Sequence, residues 1–309
     1  MGRAAHSRAS AAGLSSASPE SATAHPDTAP TAAVGRVGTL SLAYVRRGGR
    51  TILADSHCTS PWHLLPPMYL DDTGSACTFL LNPSGGLVGG DRLTIHASVG
   101  RDAHVLISSP SANRVYRSPL NVAVQTVRMT VGSGAILEWL PELTIPFAGS
   151  RFRQRIHVSL APRSTVLLWD AMAAGRIARD ERWAFTSYEN EIRLVTASGA
   201  SLLERCHFTP EQGFDRAQWA QDWNYIGSLY LVGESLDEEA CKSLGDVVTE
   251  LLARARSSIL GGVSEPAAPG LVVKLLARTA IELNDTSRVI WQAIRDRLWN
   301  LPLPDLRRY

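Results

Sequence analysis

A chain of 309 residues with 45% hydrophobic content can bury one large core or two modest ones. Its 31 basic and 29 acidic residues leave a formal net charge of +2, so the total implies no polyanion-binding surface, and a nucleic-acid partner is not expected. The four cysteines, Cys58, Cys77, Cys206 and Cys241, are scattered with no Cys-x-x-Cys pair, which favours reduced thiols in a cytoplasmic protein over a disulfide framework or a closed zinc site.

Residues 1–35 are rich in Ala, Ser, Thr and Pro and hold few large apolar groups, so they cannot bury enough surface to offset chain entropy. They read as a disordered extension, and a chain beginning near Val37 is expected to keep its thermal midpoint. No apolar run has the length of a signal-peptide core or a bilayer span, so no membrane partner is expected.

From Val37 onward the pattern is short strands punctuated by glycine. Ser41–Arg47 and Thr51–Ala54 flank Gly48-Gly49, a hairpin signal. Further strands are predicted over Ala76–Leu81, Arg92–Val99, Ala103–Ser108, Val122–Val131, Ala135–Leu140, Arg153–Leu160, Thr165–Trp169, Glu191–Thr196 and Ser201–Phe208. Short strands at this spacing imply a mainly β body. No fixed-period repeat is evident, so periodicity alone does not establish a solenoid.

Asn82-Pro-Ser-Gly-Gly-Leu-Val-Gly-Gly-Asp91-Arg-Leu sets four glycines between two such strands. A phosphate-binding loop would carry Lys-Ser or Lys-Thr after the last glycine, and a dinucleotide fingerprint would open a helix there. Neither follows. The glycines instead shape a strand-to-strand connection of close backbone approach or positive φ.

The character changes after about residue 235. Ser235-Leu-Asp-Glu238 has the spacing of a capping box, and Ala240, Leu244, Val247, Val248, Leu251 and Leu252 recur at helical intervals. A strand-like Leu271–Leu276 precedes a second helix, opened by Asn284 or Asp285 and ended by Pro302, with Val289, Ile290, Ala293, Ile294 and Leu298 on one face. Two α-helices in the C-terminal third then pack on the β body, and residues 36–309 read as one domain.

Three blocks in order resemble a known family. Asn82–Leu93 is similar to the glycine-rich signature of the urease accessory proteins called UreD or UreH. Ser108-Ser-Pro-Ser-Ala-Asn-Arg-Val-Tyr-Arg-Ser118 resembles that family's Thr-Thr-Pro-x-Ala-Thr-Lys-x-Tyr-Arg-Ser segment, and Leu137-Glu-Trp-Leu-Pro-Glu-Leu-Thr-Ile-Pro-Phe-Ala-Gly149 resembles its Leu-Glu-Trp-Leu-Pro-Gln-Glu-Thr-Ile-x-Phe-Asp-Gly. The resemblance continues through Gly175-Arg176 and Glu181 to the last helix. It implies a β-helical stack of many short strands with two helices. It also implies a non-enzymatic role, in which the protein binds urease apoprotein subunits with the accessory proteins UreF and UreG and helps deliver nickel. Nickel would be cargo in transit, with no cofactor permanently bound. The chain departs from the pattern at Ser84, Asn113-Arg114, Leu143 and Ala148, and the last two remove acidic positions.

Within the resembling segments, Asp91, Asp170 and Glu181 are the carboxylates expected along a nickel path, since a transient site needs ligands that coordinate incompletely. Each has a structural alternative: Asp91 as a turn residue bonding its own backbone, Asp170 and Glu181 as carboxylates paired with Arg176 or Arg182. Tyr116 and Arg117 are the candidate partner contacts, by residue types frequent in hot spots, although a strand Tyr is often core. His57-Cys58 and Cys206-His207 put their side chains on opposite faces of a strand, so neither pair grips one metal alone. Two other classes remain open: a β-scaffold hydrolase using Ser108 or Ser109, for which no Gly-x-Ser-x-Gly elbow exists, and an interaction protein with no metal role.

Overall fold

A computed structural model describes residues 35–210, 223–255 and 257–306. The expected N-terminal extension thus lies, Gly35 aside, outside the described residues. Along the chain run β1 (Val37–Arg47), β2 (Arg50–Cys58), β3 (Ala76–Phe79), β4 (Arg92–Val99), β5 (His104–Ser108), β6 (Asn113–Val115), β7 (Ala123–Val131) and β8 (Ile136–Leu140). There follow β9 (Thr144–Pro146), β10 (Arg151–Leu160), β11 (Thr165–Ala173), β12 (Ser187–Val195), β13 (Ser201–Phe208), β14 (Tyr225–Gly233), β15 (Ile259–Ser264) and β16 (Gly270–Ala277). The predicted mainly β body with two C-terminal helices is what forms; β6, β9, β14 and β15 are strands that the sequence pattern did not single out.

The strands alternate between two sheets. The first is seven-stranded in the order β13-β12-β10-β7-β4-β1-β2; the second follows β15-β16-β14-β11-β8-β5-β3, with β6 and β9 completing nine strands. β1, β4, β7, β10 and β12 pair in parallel, as do β3, β5, β8 and β11, so each turn of the chain lays one strand in each sheet: a β-solenoid. The turns differ in length. Ser108 and Leu140 are paired 32 residues apart, Gln125 and Gln154 29, Gln154 and Asn190 36, which is why no fixed period is visible.

Burial follows from which faces are covered. In the first sheet one face is solvated, so β10 alternates, with Phe152, Gln154, Ile156, Val158 and Leu160 inward. The second sheet is covered on both faces: Val166 and Leu168 join the core between the sheets, while Leu167 and Trp169 pack under the helices. That is why Val166–Trp169 reads as an unbroken apolar run.

The helices are α1 (Glu238–Arg254), burying Cys241, Leu244, Val248 and Leu252, and α2 (Ala280–Ile294), burying Leu283, Ile290, Trp291 and Ile294. Both caps differ from the sequence expectation. Asp237, not Ser235, caps α1 by accepting from Ala240 N–H, while the Ser235 hydroxyl bonds that of Thr165 at 2.7 Å. α2 opens five residues before Asn284, on a reciprocal box in which Thr279 N–H donates to Glu282 (2.9 Å) and Glu282 N–H to the Thr279 hydroxyl (3.2 Å).

A buried charge cluster locks the C-terminal segment onto the second sheet. Glu138 of β8, fully buried, accepts from Arg295 Nη1, from Trp291 Nε1 and, at 2.7 Å, from His104. Arg295, also fully buried, donates to the Pro302 carbonyl (2.7 Å) and to Asp71 (3.3 Å). The acidic residue of the Leu-Glu-Trp-Leu-Pro block therefore has a structural task.

Candidate functional site

Between the sheets the apolar core is interrupted at one level. In the first sheet Gln125, Gln154, Asn190 and Cys206 are register partners on β7, β10, β12 and β13. In the second, Asp170, Ser228 and Lys274 are partners on β11, β14 and β16. Alternation turns these side chains inward, so two polar rows face one another. Burying them costs free energy unless they bond, and they do. Gln125 Nε2 donates to Gln154 Oε1 (3.1 Å); Gln154 Nε2 donates to Asp170 Oδ1 (2.7 Å) and Asn190 Oδ1 (3.2 Å); Asn190 Nδ2 donates to Asp170 Oδ2 (2.7 Å). The row ends at Lys274, whose ammonium donates to Glu204, to Ser228 Oγ (3.0 Å) and to Tyr230 OH (2.8 Å), and is 42% exposed.

A cavity of about 110 Å³ leads to this layer from the glycine-rich connection. Asn82, Gly86, Ser109, Arg114 and Glu142 lie toward its mouth, and Gln125, Gln154 and Asp170 on its inner wall. The second sheet leaves the opening because β8 pairs with β11 only as far as Trp139 and Leu168, and pairing resumes through β9 at Thr144 and Met172. Pro141, with no N–H to donate, stands in the gap. Gly86 shapes the mouth: its φ is +155°, and a Cβ there would lie 2.5 Å from the Arg114 carbonyl oxygen. Trp62 Nε1, Asn113 Nδ2 and Trp139 Nε1 are buried donors without a protein partner among the described residues, on residues lining the cavity. Water in a space of this size satisfies such donors.

Asp170 lies deep in the protein yet is half-buried, because its carboxylate borders the cavity. Burial pushes its carboxyl up to about 6, against the Gln154 bond, the Lys274 charge and the Asn190 bond, with Glu204 adding to the rise. Burial, then Asp170 and Glu204, also push the Cys206 thiol up to about 12, which disfavours a thiolate ligand at neutral pH.

The other expected carboxylates lie elsewhere. Asp91, fully buried, accepts from Arg36 N–H (2.8 Å), Arg36 Nη2 (2.7 Å) and Val88 N–H (3.0 Å). Burial acts upward on its carboxyl, but these bonds outweigh it and hold it below the usual range. Glu181 forms a fork with Arg176 and accepts from Ala148 N–H (3.2 Å); the Arg176 bond holds its carboxyl low. The three do not converge, and only Asp170 lines the cavity. Tyr116, half-buried, packs edge-on to Phe147 and donates to the Gly85 carbonyl (3.1 Å), while Arg117 is exposed beside Gly149. Ser108 is fully buried and donates to the Leu140 carbonyl (2.8 Å). Among the described residues no group of three His, Cys, Asp or Glu side chains is placed to hold a metal ion, and no helix is long and apolar enough to cross a membrane.

Sequence reasoning missed Gln125, Gln154, Asn190 and Lys274. The available signal was a polar residue at the inward position of an alternating strand, repeated in three strands.

Fold and site define the class: a two-sheet β-solenoid scaffold with an acid-ended polar cavity in its core. A family model described as UreD urease accessory protein matches residues 36–308. The chain belongs to that family. It is 31% identical to a urease accessory protein UreD of Haloarcula marismortui, over 91% of this chain and 94% of the relative. With its counterpart from Cupriavidus necator it shares 32% identity over 83% and 88%. A match to the Sorangium cellulosum protein is 40% identical but spans 58% of this chain and 56% of that relative.

Proposed function

We propose that this protein is a urease maturation factor that catalyses no reaction of its own, acts in the cytoplasm, and binds urease apoprotein together with UreF and UreG while nickel passes to the urease active site. The observation that carries the nickel part is the cavity that reaches Asp170 in the polar layer. A cation in transit needs oxygen ligands that do not complete a cage. Asp170, on the wall of a water-sized cavity and held in place by the amide N–H groups of Gln154 and Asn190, offers such an ion one carboxylate and leaves the remaining coordination to water. With a carboxyl at about 6, Asp170 is largely ionised at neutral pH.

In this reading Asp170 meets the ion. Asp91 and Glu181 meet it only by exchanging an arginine for it, and Tyr116 with Arg117 faces a partner. The test is nickel per urease active site after coexpression of the apoprotein, UreF and UreG with wild type or Asp170→Asn. Nickel loading is expected to fall several-fold while the accessory complex still co-purifies. Normal loading would remove Asp170 from the route, and full activation of urease in a deletion strain would overturn the maturation role.

A further inference from the structure

A parallel sheet usually has both faces covered. Here both helices pack on the second sheet, and the outer face of the first carries no covering element among the described residues. The register sets out what that face presents. One row runs His57, Ser41, His96, Arg128, His157 and Arg193 across six strands. The row below it holds Arg155, Glu191 and Arg205, and the next Arg92, Arg153, Glu189 and His207, all outward by strand alternation. Neighbouring strands stand about 4.8 Å apart and same-face residues about 7 Å along a strand, so this is a dense cationic field.

Internal pairing neutralises part of it. Arg153 is held by Glu189 at 2.6 Å and Arg205 by Glu191 at 2.7 Å. The side chains of Arg92, Arg128, Arg155 and Arg193 form no hydrogen bond or ion pair among the described residues, although the Arg155 charge acts on Glu189, and Arg128, Arg155 and Arg193 lie on neighbouring strands of the sheet. No two of these arginines are directly opposite one another, since Arg128 and Arg193 each pair with His157 and Arg155 pairs with Glu191, but none of the four side chains packs into the core. The near-zero total charge of the chain conceals this segregation. The surface is also not flat. A shallow trough of about 590 Å³ is floored by small residues such as Ser41, Ala43 and Ser98 and flanked by Arg128, His157 and Asp55.

We propose that the outer face of the seven-stranded sheet docks an acidic protein surface, with Arg128, Arg155 and Arg193 as its unpaired cations. Carboxylates fit arginine forks bidentately. A nucleic acid fits less well, because Asp55, Glu189 and Glu191 are interspersed and these rows offer no Phe, Tyr or Trp side chain as a stacking platform for bases. The inference rests on the function proposed above only for the identity of the partner used in the test.

The experiment compares wild type with Arg128→Glu/Arg193→Glu, whose exposed positions leave the core untouched, and with Arg128→Lys/Arg193→Lys. Each full chain is coexpressed with urease apoprotein, UreF and UreG, and partner retention is measured at low and high salt. In parallel, affinity is measured for a poly-glutamate peptide and for a DNA duplex of equal charge. The reversal variant is expected to keep its thermal midpoint, to lose at least one partner about tenfold, and to lose poly-glutamate binding, while the lysine variant keeps most of both. Unchanged partner retention and peptide affinity in the reversal variant would overturn the proposal, as would tighter binding of DNA than of the peptide by wild type. If wild type retains no partner, the maturation reading fails, and the peptide arm still decides this one. Should the reversal variant lose its midpoint, Arg128→Gln/Arg193→Gln replaces it under the same outcomes.

Discussion

Gln154 donates to Asp170 across the space between the two sheets, at 2.7 Å, and its register neighbour Asn190 donates to the other carboxylate oxygen at the same distance. The strand pairing fixes this relationship. Gln154 and Asn190 lie side by side on β10 and β12, so both amides meet one carboxylate on the facing sheet. A position that an apolar core would fill with Val or Leu instead ends a cavity. Glu138 is fully buried, and its oxygens are taken up by Arg295, Trp291 and His104. Two interior carboxylates thus have different tasks, one clamping a helix and one facing a wet space.

The clamp gives a stability prediction. Glu138→Ala leaves the fully buried Arg295 with Asp71 at 3.3 Å as its remaining carboxylate and removes the acceptor for Trp291 Nε1. Breaking a buried ion pair from one side costs about 3–5 kcal/mol. The urea midpoint is expected to fall accordingly. Replacing both partners, as Glu138→Leu/Arg295→Met, should cost less than the sum of the two single changes, because no charge is left stranded. An additive double variant would show that the two residues act independently.

The start of the folded body gives a second. The sequence places the extension at residues 1–35 and expects a chain beginning near Val37 to be unaffected, but Arg36 anchors the glycine-rich connection through Asp91 and also donates to the Gly86 carbonyl at 3.1 Å. A chain beginning at Gly35 should keep the Arg36 contacts. One beginning at Val37 should lose about 2–3 kcal/mol, discounted because Arg36 is 35% exposed. Asp91's carboxyl is depressed in the folded state, so its share of stability is present above the unfolded value and lost as pH falls through the folded one. The gap between the two chains should therefore close in acid. Equal midpoints at neutral pH would show the anchor is idle.

Much of the body is legible in the sequence because strand alternation is local. Arg92–Val99 and Ser201–Phe208 were predicted with the bounds found, and β16 extends the strand-like run by one residue at each end. The polar layer is not local. Ala123-x-Gln125-x-Val127-x-Met129, Phe152-x-Gln154-x-Ile156-x-Val158 and Tyr188-x-Asn190-x-Ile192-x-Leu194 share one pattern, an inward amide among inward apolar residues. Unequal turns of 29 and 36 residues hide that repeat from a search at fixed period. Asp91 and Glu181 were singled out as acidic groups in family-like segments, but whether an acidic group is already held by an arginine depends on Arg36 and Arg176, and charge type alone does not reveal it.

Asp170 gives the sharpest prediction, because stability and function should move in opposite directions. Its folded carboxyl titrates at about 6, above the unfolded value near 4, so the folded protein binds the proton more tightly. Whatever stability that proton contributes is fully present below about pH 4 and is lost as pH rises through about 6. Asp170→Asn removes the titration. One oxygen remains to accept from Gln154 or Asn190, and the other amide must turn, which gives back a hydrogen bond of about 1 kcal/mol. Of the roughly 3 kcal/mol implied by the shift, a gain of about 1–2 kcal/mol at pH 7.5 is expected to survive. The measurement is the difference in urea midpoint between wild type and variant at pH 4.5 and at pH 7.5, which cancels the other titrating groups. The variant should gain at the higher pH and be level or slightly weaker at the lower, while delivering less nickel. A variant less stable at pH 7.5 than at 4.5, relative to wild type, would mean that the carboxylate is stabilised in its charged form and that the layer is a structural ion network.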